Sequence, residues 1–348
     1  AGLKTVEMYL VSASGQESKG IINLSGEKEY TFDEMIDYKE GDRGFKVKAE
    51  DTYGYITIST LPVTYKTIPG PSLTLTESTI FAGTDAKKGV PVQIESVRGV
   101  HEVVIYRIEN GSEVEALRET KNGEHTLNYA PEIDFTEATS KLKVVVSDGR
   151  EGKEAIGYMK AYVNMDVATL NVGSQPLANN AHVKYPDAFG MVSLNDLKTY
   201  SVDYAIANEV NAKNVDFKFY CFGASGSPRL YSMDNTGKDG EFSGSTGKLS
   251  AIKVKNLTRF AILSNFDYEN ATVASISSEI LSSSIAQSLL DPIAVGNVIA
   301  FRTGGSSAAG GGRIGVMKVI NITEPKELVS NNATARVMTV EIKFPKKK

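Results

Sequence analysis

The chain has 348 residues, 41% of them hydrophobic, and a formal net charge of -4. This length corresponds to about two to three ordinary domains, each able to bury a core. The near-neutral charge offers no basic field for nucleic acid, so we expect no nucleic-acid partner. The single cysteine, Cys221, excludes an internal disulfide and a cysteine-rich zinc site. Its apolar neighbours favour a buried core position over a reactive thiol.

Residues 1–68 contain short runs in which apolar and polar side chains alternate. The clearest runs are 6–10, 45–49 and 55–58, and glycines separate them. Runs of period two bounded by Gly and Asp indicate strands of an antiparallel sandwich. Pro69 and Pro71 then end the unit, because two prolines in three residues cannot continue a central strand. We therefore predict a first domain at 1–68.

Residues 99–162 repeat the pattern of residues 2–65 at an offset of 97 positions, as between Gly2 and Gly99. A unit of this length is too long for a solenoid repeat and indicates a whole domain copied in tandem. The matched pairs include Gly2 and Gly99, Val6 and Val103, Tyr9 and Tyr106, Ile36 and Ile133, Asp37 and Asp134, Asp51 and Asp148, and Tyr65 and Tyr162.

The second predicted domain, 69–166, has a strand-like segment before Gly99 that the first copy lacks. By the offset, roughly 27 residues of a complete first domain are missing, so we expect the first sandwich to be N-terminally incomplete. No apolar run is long enough to cross a bilayer, and the first residues lack the features of a signal peptide. We interpret the chain as a truncated or processed product.

Residues 167–348 have no counterpart in the repeat. Apolar spacing predicts helices at 199–210 and 275–290, the second ended by Asp291 and Pro292. Strands are predicted at 215–222, 250–254, 297–303, 314–322 and 337–344. Short connections make most of these strands antiparallel by expectation. The fold class is therefore mainly β, with two tandem immunoglobulin-like sandwiches and a larger antiparallel β-rich C-terminal domain with two helices.

Several segments of this last part carry a resemblance to a known family. They are 191–194, Tyr200, 215–220, 258–260, 298–303, 315–319 and 340–343. Together they resemble the C-terminal domain of uncharacterised surface lipoproteins of Bacteroidetes, whose upstream modules are similar to the repeats described above. The resemblance implies export to the periplasm or the outer-membrane surface, with a lipid-modified cysteine upstream of this chain as the only membrane attachment. It supplies no functional residues.

Motifs for catalysis or metal binding are sparse. The three histidines, His101, His125 and His182, form no triad or metal pattern. Residues 310–315 match G-x-G-x-x-G, but a strand pattern follows where a dinucleotide site needs a helix, so we interpret 304–312 as a flexible hairpin. Asp51 and Asp148 are interpreted as turn residues, and Asp234 lies in an acidic loop; calcium is the alternative for all three. We expect no cofactor.

The functional prediction is a non-enzymatic surface module that binds or displays an unknown partner, with a glycan as one candidate. Glycan sites stack sugars on exposed aromatic rings, and without tryptophan the candidates nearest to loops are Tyr220, Tyr231 and Tyr268. The polar loops at 223–247 and 304–312 are the predicted recognition surface, with disordered connections as the alternative. An extracytoplasmic hydrolase with a carboxylate site in the C-terminal domain is the other function considered.

Overall fold

The computed structural model describes residues 1–33, 35, 36, 38, 41–64, 68–221, 226–323 and 335–347. Two compact units result, Ala1–Gly70 and Pro71–Lys348. The protein is mainly β, as predicted, with tandem immunoglobulin-like sandwich modules followed by a larger antiparallel β-rich region. Two residues of the predicted repeat, Asp37 and Tyr65, lie outside the described residues.

The first unit contains one four-stranded antiparallel sheet in the order β2-β1-β3-β4. Successive side chains of a strand point to opposite faces, so the alternating apolar residues Val6, Met8 and Leu10 share one face and are buried there with Phe45. The ring of Phe32 stacks on Phe45 at 5.9 Å between centroids. The strands are β1 (Leu3–Ser12), β2 (Gly15–Glu27), β3 (Asp42–Asp51) and β4 (Ile56–Pro62).

Residues 71–163, called the sandwich region here, fold into two facing sheets with a common apolar core. One sheet has the order β10-β9-β13-β14-β6, and the other has the order β11-β8-β5. The pairing of β14 with β6 is parallel, whereas the neighbouring pairs are antiparallel. The strands are β5 (Ser72–Leu75), β6 (Thr79–Ala82), β7 (Lys88–Gly89), β8 (Val92–Glu95), β9 (Glu102–Glu109), β10 (Ser112–Thr120), β11 (Thr126–Tyr129), β12 (Glu132–Ile133), β13 (Thr139–Ser147) and β14 (Glu154–Val163).

Strand register confirms the repeat through the first three strands of each copy. Val6 pairs with Ala49, and Val103 pairs with Val146, as the offset requires. The first hairpin even has its β-bulge at matching positions, Lys19 in one copy and Ala116 in the other. A bulge inserts one unpaired residue and bends its strand, so its recurrence shows that the local geometry was copied together with the sequence.

The last strands of the two copies do not keep this offset. Val47 pairs with Ser59, whereas Val144 pairs with Gly157 instead of Ile156. The preceding turn in the sandwich region is therefore one residue longer than the turn after Asp51. Within the described residues of the first unit, no second sheet faces the first. As a result, Leu61 is 64% exposed, whereas the corresponding core residue Met159 is 1% exposed.

Residues 165–347, called the C-terminal region here, contain two five-stranded sheets that face each other. Their orders are β15-β24-β23-β22-β20 and β17-β16-β18-β19-β21, and neighbouring strands within them pair antiparallel. One large apolar cluster draws residues from both sheets. The strands are β15 (Met165–Gly173), β16 (Met191–Ser193), β17 (Lys198–Tyr200), β18 (Phe217–Tyr220), β19 (Arg229–Ser232), β20 (Arg259–Leu263), β21 (Leu289–Leu290), β22 (Val298–Arg302), β23 (Ile314–Ile322) and β24 (Val337–Pro345).

The helices of this region are shorter than predicted. The expected helix at 199–210 is split into α1 (Val202–Ala207) and α2 (Glu209–Lys213), because Asn208 is extended and its side chain caps the second helix. The expected helix at 275–290 is only α3 (Val273–Glu279). Three consecutive serines follow in a 3-10 turn, Ser282–Ser284, and serine hydroxyls compete for backbone hydrogen bonds.

The predicted strand at 250–254 is wrong. Leu249–Ala251 is a 3-10 turn that directs Leu249 and Ile252, three positions apart, into the core beside α1. The remaining predicted strands of the C-terminal region are present, although their ends shift by a few residues. A spacing of three is typical of a 3-10 turn, whereas the prediction required alternation.

The sandwich region and the C-terminal region are joined almost without a linker, because only Asn164 separates β14 from β15. Polar contacts then bridge the junction. Glu269 accepts from Lys160 and Lys318 at 3.4 and 2.8 Å, and the backbone N–H of Ala274 donates to the carbonyl of Glu137 at 3.0 Å. These contacts fix the geometry of the cavities that lie between the two regions. The predicted domain limits, 1–68, 69–166 and 167–348, stay predictions.

Candidate functional site

A polar cleft lies between the sandwich region and the C-terminal region, and we call it the junction cleft. Its volume is about 480 Å³, within the range typical of small-molecule sites. The sandwich wall includes the tip of the β9–β10 hairpin, where Asn110 and Gly111 both have positive φ and form a tight turn. The cleft is lined by Ile108, Asn110, Gly111, Ala138, Ser140, Lys141, Asp267, Asn270, Thr272, Ser275 and Glu279.

Asp267 and Asn270 give the junction cleft its most specific polar geometry. The Asp267 carboxylate accepts from the Asn270 backbone N–H at 3.2 Å and from its Nδ2 at 2.7 Å. The Nδ2 bond fixes the orientation of the amide, because only the nitrogen can donate to a carboxylate. The other amide atom, Asn270 Oδ1, is buried and has no hydrogen-bond partner among the described residues. Because this oxygen is shielded from solvent, it is an unsatisfied internal acceptor in this conformation and not an open contact point.

The electrostatics of Asp267 favour its ionised form. The side-chain hydrogen bond from Asn270 lowers the pKa of this carboxyl more than burial raises it, and the charge of Lys141 across the cleft contributes in the same direction. Lys141 comes from β13, whereas Asp267 comes from the turn before α3. The junction therefore places a cation, a carboxylate and an amide side chain around one cavity. Sequence reasoning missed this site because its two walls lie more than a hundred residues apart.

The three tyrosines predicted to stack on sugars are buried, and this corrects the sequence-based expectation. Tyr220, Tyr231 and Tyr268 are 1%, 4% and 3% exposed, so none presents a ring face to a ligand. Tyr220 donates to Glu241 at 2.5 Å, and Tyr268 donates to the carbonyl of Glu341 at 2.7 Å. Burial is the largest cause that raises the pKa of Tyr220 and Tyr268. These hydroxyls satisfy internal hydrogen bonds, which allows the rings to lie inside the core.

A second feature that the sequence did not indicate is the buried cation of Lys218. Its Nζ lies 2.6 Å from Asp239 Oδ1 and 2.9 Å from the carbonyl of Asn235, and both charged side chains are almost fully buried. β18 lies in the middle of its sheet, with the facing sheet on one side and α1 and α2 on the other. Both faces of the strand are therefore covered, and Lys218 cannot reach solvent.

The glycine-rich segment 304–312 connects the antiparallel strands β22 and β23, so the predicted hairpin is present, but it is anchored to the rest of the region and not free. Ser307 donates to Asp216 at 2.6 Å, and the N–H of Ala308 donates to the carbonyl of Lys213 at 2.8 Å. Asp216 is fully buried, and burial raises its pKa to about 6, although hydrogen bonds from Ser307 and from the N–H of Leu194 oppose this. In the other predicted recognition loop, 223–247, residues 223–225 lie outside the described residues.

The three aspartates considered for calcium accept hydrogen bonds from the protein. Asp51 Oδ1 accepts from the N–H groups of Tyr53 and Tyr55, both at 2.9 Å, which is the pattern of a turn residue. Asp148 pairs with Arg150, and Asp234 pairs with Arg259 through both oxygens at 2.9 and 2.8 Å. Within the described ranges, no three His, Cys, Asp or Glu side chains come together as a metal site.

Cys221 is buried, as predicted, and burial raises the pKa of its thiol. No helix in the part of the chain that the structure describes has the length and apolar character needed to span a membrane. The single thiol is a useful internal reporter, because it lies directly after β18 in the core of the C-terminal region. Its protection measures whether that core is folded.

The comparisons with known proteins give only distant likenesses. No family model matches the chain, and no curated protein does. The structure of Dpr2 Ig1-Ig2 in complex with DIP-Theta Ig1-Ig3 shares 9% identity over 46% of this chain and 54% of that chain, with a TM-score of 0.22. The titin domains z1z2 in complex with telethonin share 11% identity over 46% and 80%, with a TM-score of 0.21.

A third structure, Salmonella alpha-2-macroglobulin reacted with methylamine, shares 8% identity over 100% of this chain and 26% of that chain, with a TM-score of 0.24. The chain thus spans about half the length of the Dpr2 structure it matches. Such scores do not carry a functional argument. The immunoglobulin-like class rests on the strand order of the sandwich region and on the copied strand register of the first unit.

Proposed function

We propose that this chain is a non-enzymatic binding module of an extracytoplasmic cell-envelope protein, and that its ligand occupies the junction cleft. The observation that carries the proposal is the cavity that Lys141, Asp267 and Asn270 line together. Asn270 Oδ1 is a buried acceptor without a partner among the described residues, which is costly, so a ligand that draws this side chain toward the cleft would gain by satisfying it. A hydroxyl-rich ligand such as a glycan can donate to Asn270 and Asp267 and accept from Lys141.

Sugar recognition in this cleft would depend on hydrogen bonds, because the three predicted tyrosines are buried elsewhere. The test is a glycan array probed with the intact chain, followed by titration calorimetry of any glycan that binds. We expect Asn270→Ala to weaken binding by about tenfold, which corresponds to about 1.4 kcal/mol. Asn128→Ala, at an exposed position of β11, is the matched control and should leave affinity unchanged. Equal affinities for the two variants would refute the assignment.

A hydrolase is the second candidate, because Asp267 and Glu279 line the same cleft. The lowered pKa of Asp267 suits the role of base or nucleophile. The general acid, which protonates the leaving group, would then have to be Glu279. Incubation of a bound glycan with the chain, followed by mass spectrometry, separates the two functions. New shorter products that disappear with Asp267→Asn would establish hydrolysis, whereas intact glycan supports binding alone.

Location on the cell surface and a lipid anchor upstream of this chain are further parts of the proposal. Their support is the resemblance to Bacteroidetes surface lipoproteins, in which similar modules precede a C-terminal domain. Detection of the full-length protein by antibody on intact cells, together with incorporation of labelled palmitate, tests both points. A protein found only in the cytosolic fraction would contradict this part of the proposal.

A further inference from the structure

A second cavity of the C-terminal region, called the edge groove here, lies between β20 and the segment after α3. Its volume is about 610 Å³. One wall is the continuous run from Ala261 to Phe266, which includes the end of an outermost strand of its sheet. The opposite wall is formed by Glu279, Ile280, Ser284 and Gln287. The groove therefore runs along an open sheet edge.

The backbone of β20 is paired on its outer side at Phe260 and unpaired beyond it, as far as the described residues extend. Phe260 and Gln287 exchange two hydrogen bonds, at 2.8 and 3.1 Å. In an antiparallel ladder the outward-facing residues alternate, so Ile262 also directs its N–H and C=O away from β22. No outer partner for these groups occurs among the described residues. The 3-10 turn Ser282–Ser284 diverts the chain at this point and opens the gap.

Apolar and charged side chains around this gap define what can fill it. Leu263 and Phe266 are partly buried against the same apolar cluster as Ile280 and form an apolar floor. Ile262 and Leu281, which are 47% and 68% exposed, flank the opening. Of the described residues that line the groove, Glu279 alone is charged. The groove thus combines unpaired backbone groups, an apolar floor and one negative charge.

From this arrangement we infer that the edge groove binds an extended peptide segment that adds a short strand to β20. The peptide runs antiparallel to β20, in line with Gln287, and exchanges backbone hydrogen bonds with Ile262. One apolar side chain packs on Leu263 and Phe266, and a neighbouring Lys or Arg pairs with Glu279. Strand addition of this kind obtains affinity from main-chain bonds and specificity from alternate side chains. The edge groove shares Glu279 with the junction cleft, but its other lining residues and its ligand class differ.

The test is selection from a phage-displayed random heptapeptide library on the full chain, followed by calorimetry with the synthetic consensus peptide. We expect selected peptides to be rich in β-branched residues and to contain Lys or Arg. Ile262→Pro removes the edge N–H while an edge strand tolerates proline, and it should weaken binding by at least about tenfold. Ile262→Ala keeps the N–H and should change affinity by less than about threefold. Protection of Cys221 from thiol reagents checks that each variant is folded.

The expected pairing between a Lys or Arg of the peptide and Glu279 is tested by reversing the charge of Glu279. Glu279→Lys should weaken peptides that contain Lys or Arg by about fivefold and leave neutral peptides unaffected. Glu151→Lys, an exposed charge reversal in the sandwich region, is the matched control and should have no effect. Equal binding to the wild type and Ile262→Pro, or failure to select any peptide, would overturn the inference. A dimer that Ile262→Pro dissociates in sedimentation equilibrium would assign the edge to a second copy of the chain and would overturn it as well.

Discussion

Replacing Asp216 by Asn should change how the stability of the C-terminal region depends on pH. Burial raises the pKa of this carboxyl from 3.8 to about 6 in the folded protein. The folded state therefore binds the proton more tightly than the unfolded chain does. The stability contributed by this group is fully present below about pH 4 and is lost as the pH rises through about 6. An asparagine side chain cannot ionise, so Asp216→Asn should lack this loss.

The magnitude follows from the two pKa values. A difference between 3.8 and about 6 corresponds to about 3 kcal/mol of unfolding free energy. Asp216 also accepts from Ser307 and from the Leu194 N–H through different oxygens. An amide nitrogen donates where a carboxylate oxygen accepts, so Ser307 must turn its hydroxyl to accept in the variant, and this rearrangement of a buried hydrogen bond costs about 1–3 kcal/mol. We expect Asp216→Asn to be less stable than the wild type at pH 4 and equal or more stable at pH 8.

Cys221 gives a direct assay of this region. It is the only cysteine in the chain and is buried one residue beyond β18. Urea titrations at pH 4, 5, 6, 7 and 8 are followed by a pulse of 4,4′-dithiodipyridine, and mass spectrometry measures the labelled fraction. Wild type and variant are compared at the same pH, so the pH dependence of thiol reactivity cancels. Asp85→Asn, at an exposed aspartate of the sandwich region, is the control and should follow the wild-type profile.

Parallel pH profiles for the wild type and Asp216→Asn, separated by a constant difference, would refute the reasoning. They would mean that Asp216 titrates equally in the folded and unfolded states. A second substitution, Ser307→Ala, sharpens the test because it removes a hydrogen bond that lowers the pKa of Asp216. The stability loss of this variant should extend to higher pH than that of the wild type.

Two further predictions concern packing and can be checked with urea unfolding. Lys218→Met leaves the buried Asp239 with only the more distant cation of Lys255, 3.8 Å from its Oδ2, and should cost about 3–5 kcal/mol. The double variant Lys218→Met/Asp239→Leu should recover most of that loss, and an equally unstable double variant would contradict this account. Met159→Ala should destabilise the sandwich region by about 2–5 kcal/mol, but Leu61→Ala, at the equivalent exposed position, should change the first unit by less than about 0.5 kcal/mol. Similar losses at the two positions would show that the open face of the first unit is covered in solution.

Sequence alone determined the repeated architecture, because local patterns specify local pairing. In each copy, apolar residues that alternate with polar ones along a strand, such as those that include Val6 and Val103, identify a strand with one buried face. The constant offset fixed the register of three strands in each copy. Even the bulges at Lys19 and Ala116 recur at that offset. These features depend on turns and on neighbouring strands that lie close along the chain, so the pattern of a single segment carries the information.

Tertiary structure alone decided which residues are accessible and which are brought together. Tyr220 and Lys218 stand near a loop in sequence, yet both are buried because β18 is covered on both faces by distant elements. The junction cleft joins Lys141 to Asn270 across two separate regions. Burial and proximity of this kind depend on how layers of the fold stack on one another, and no local periodicity encodes that stacking.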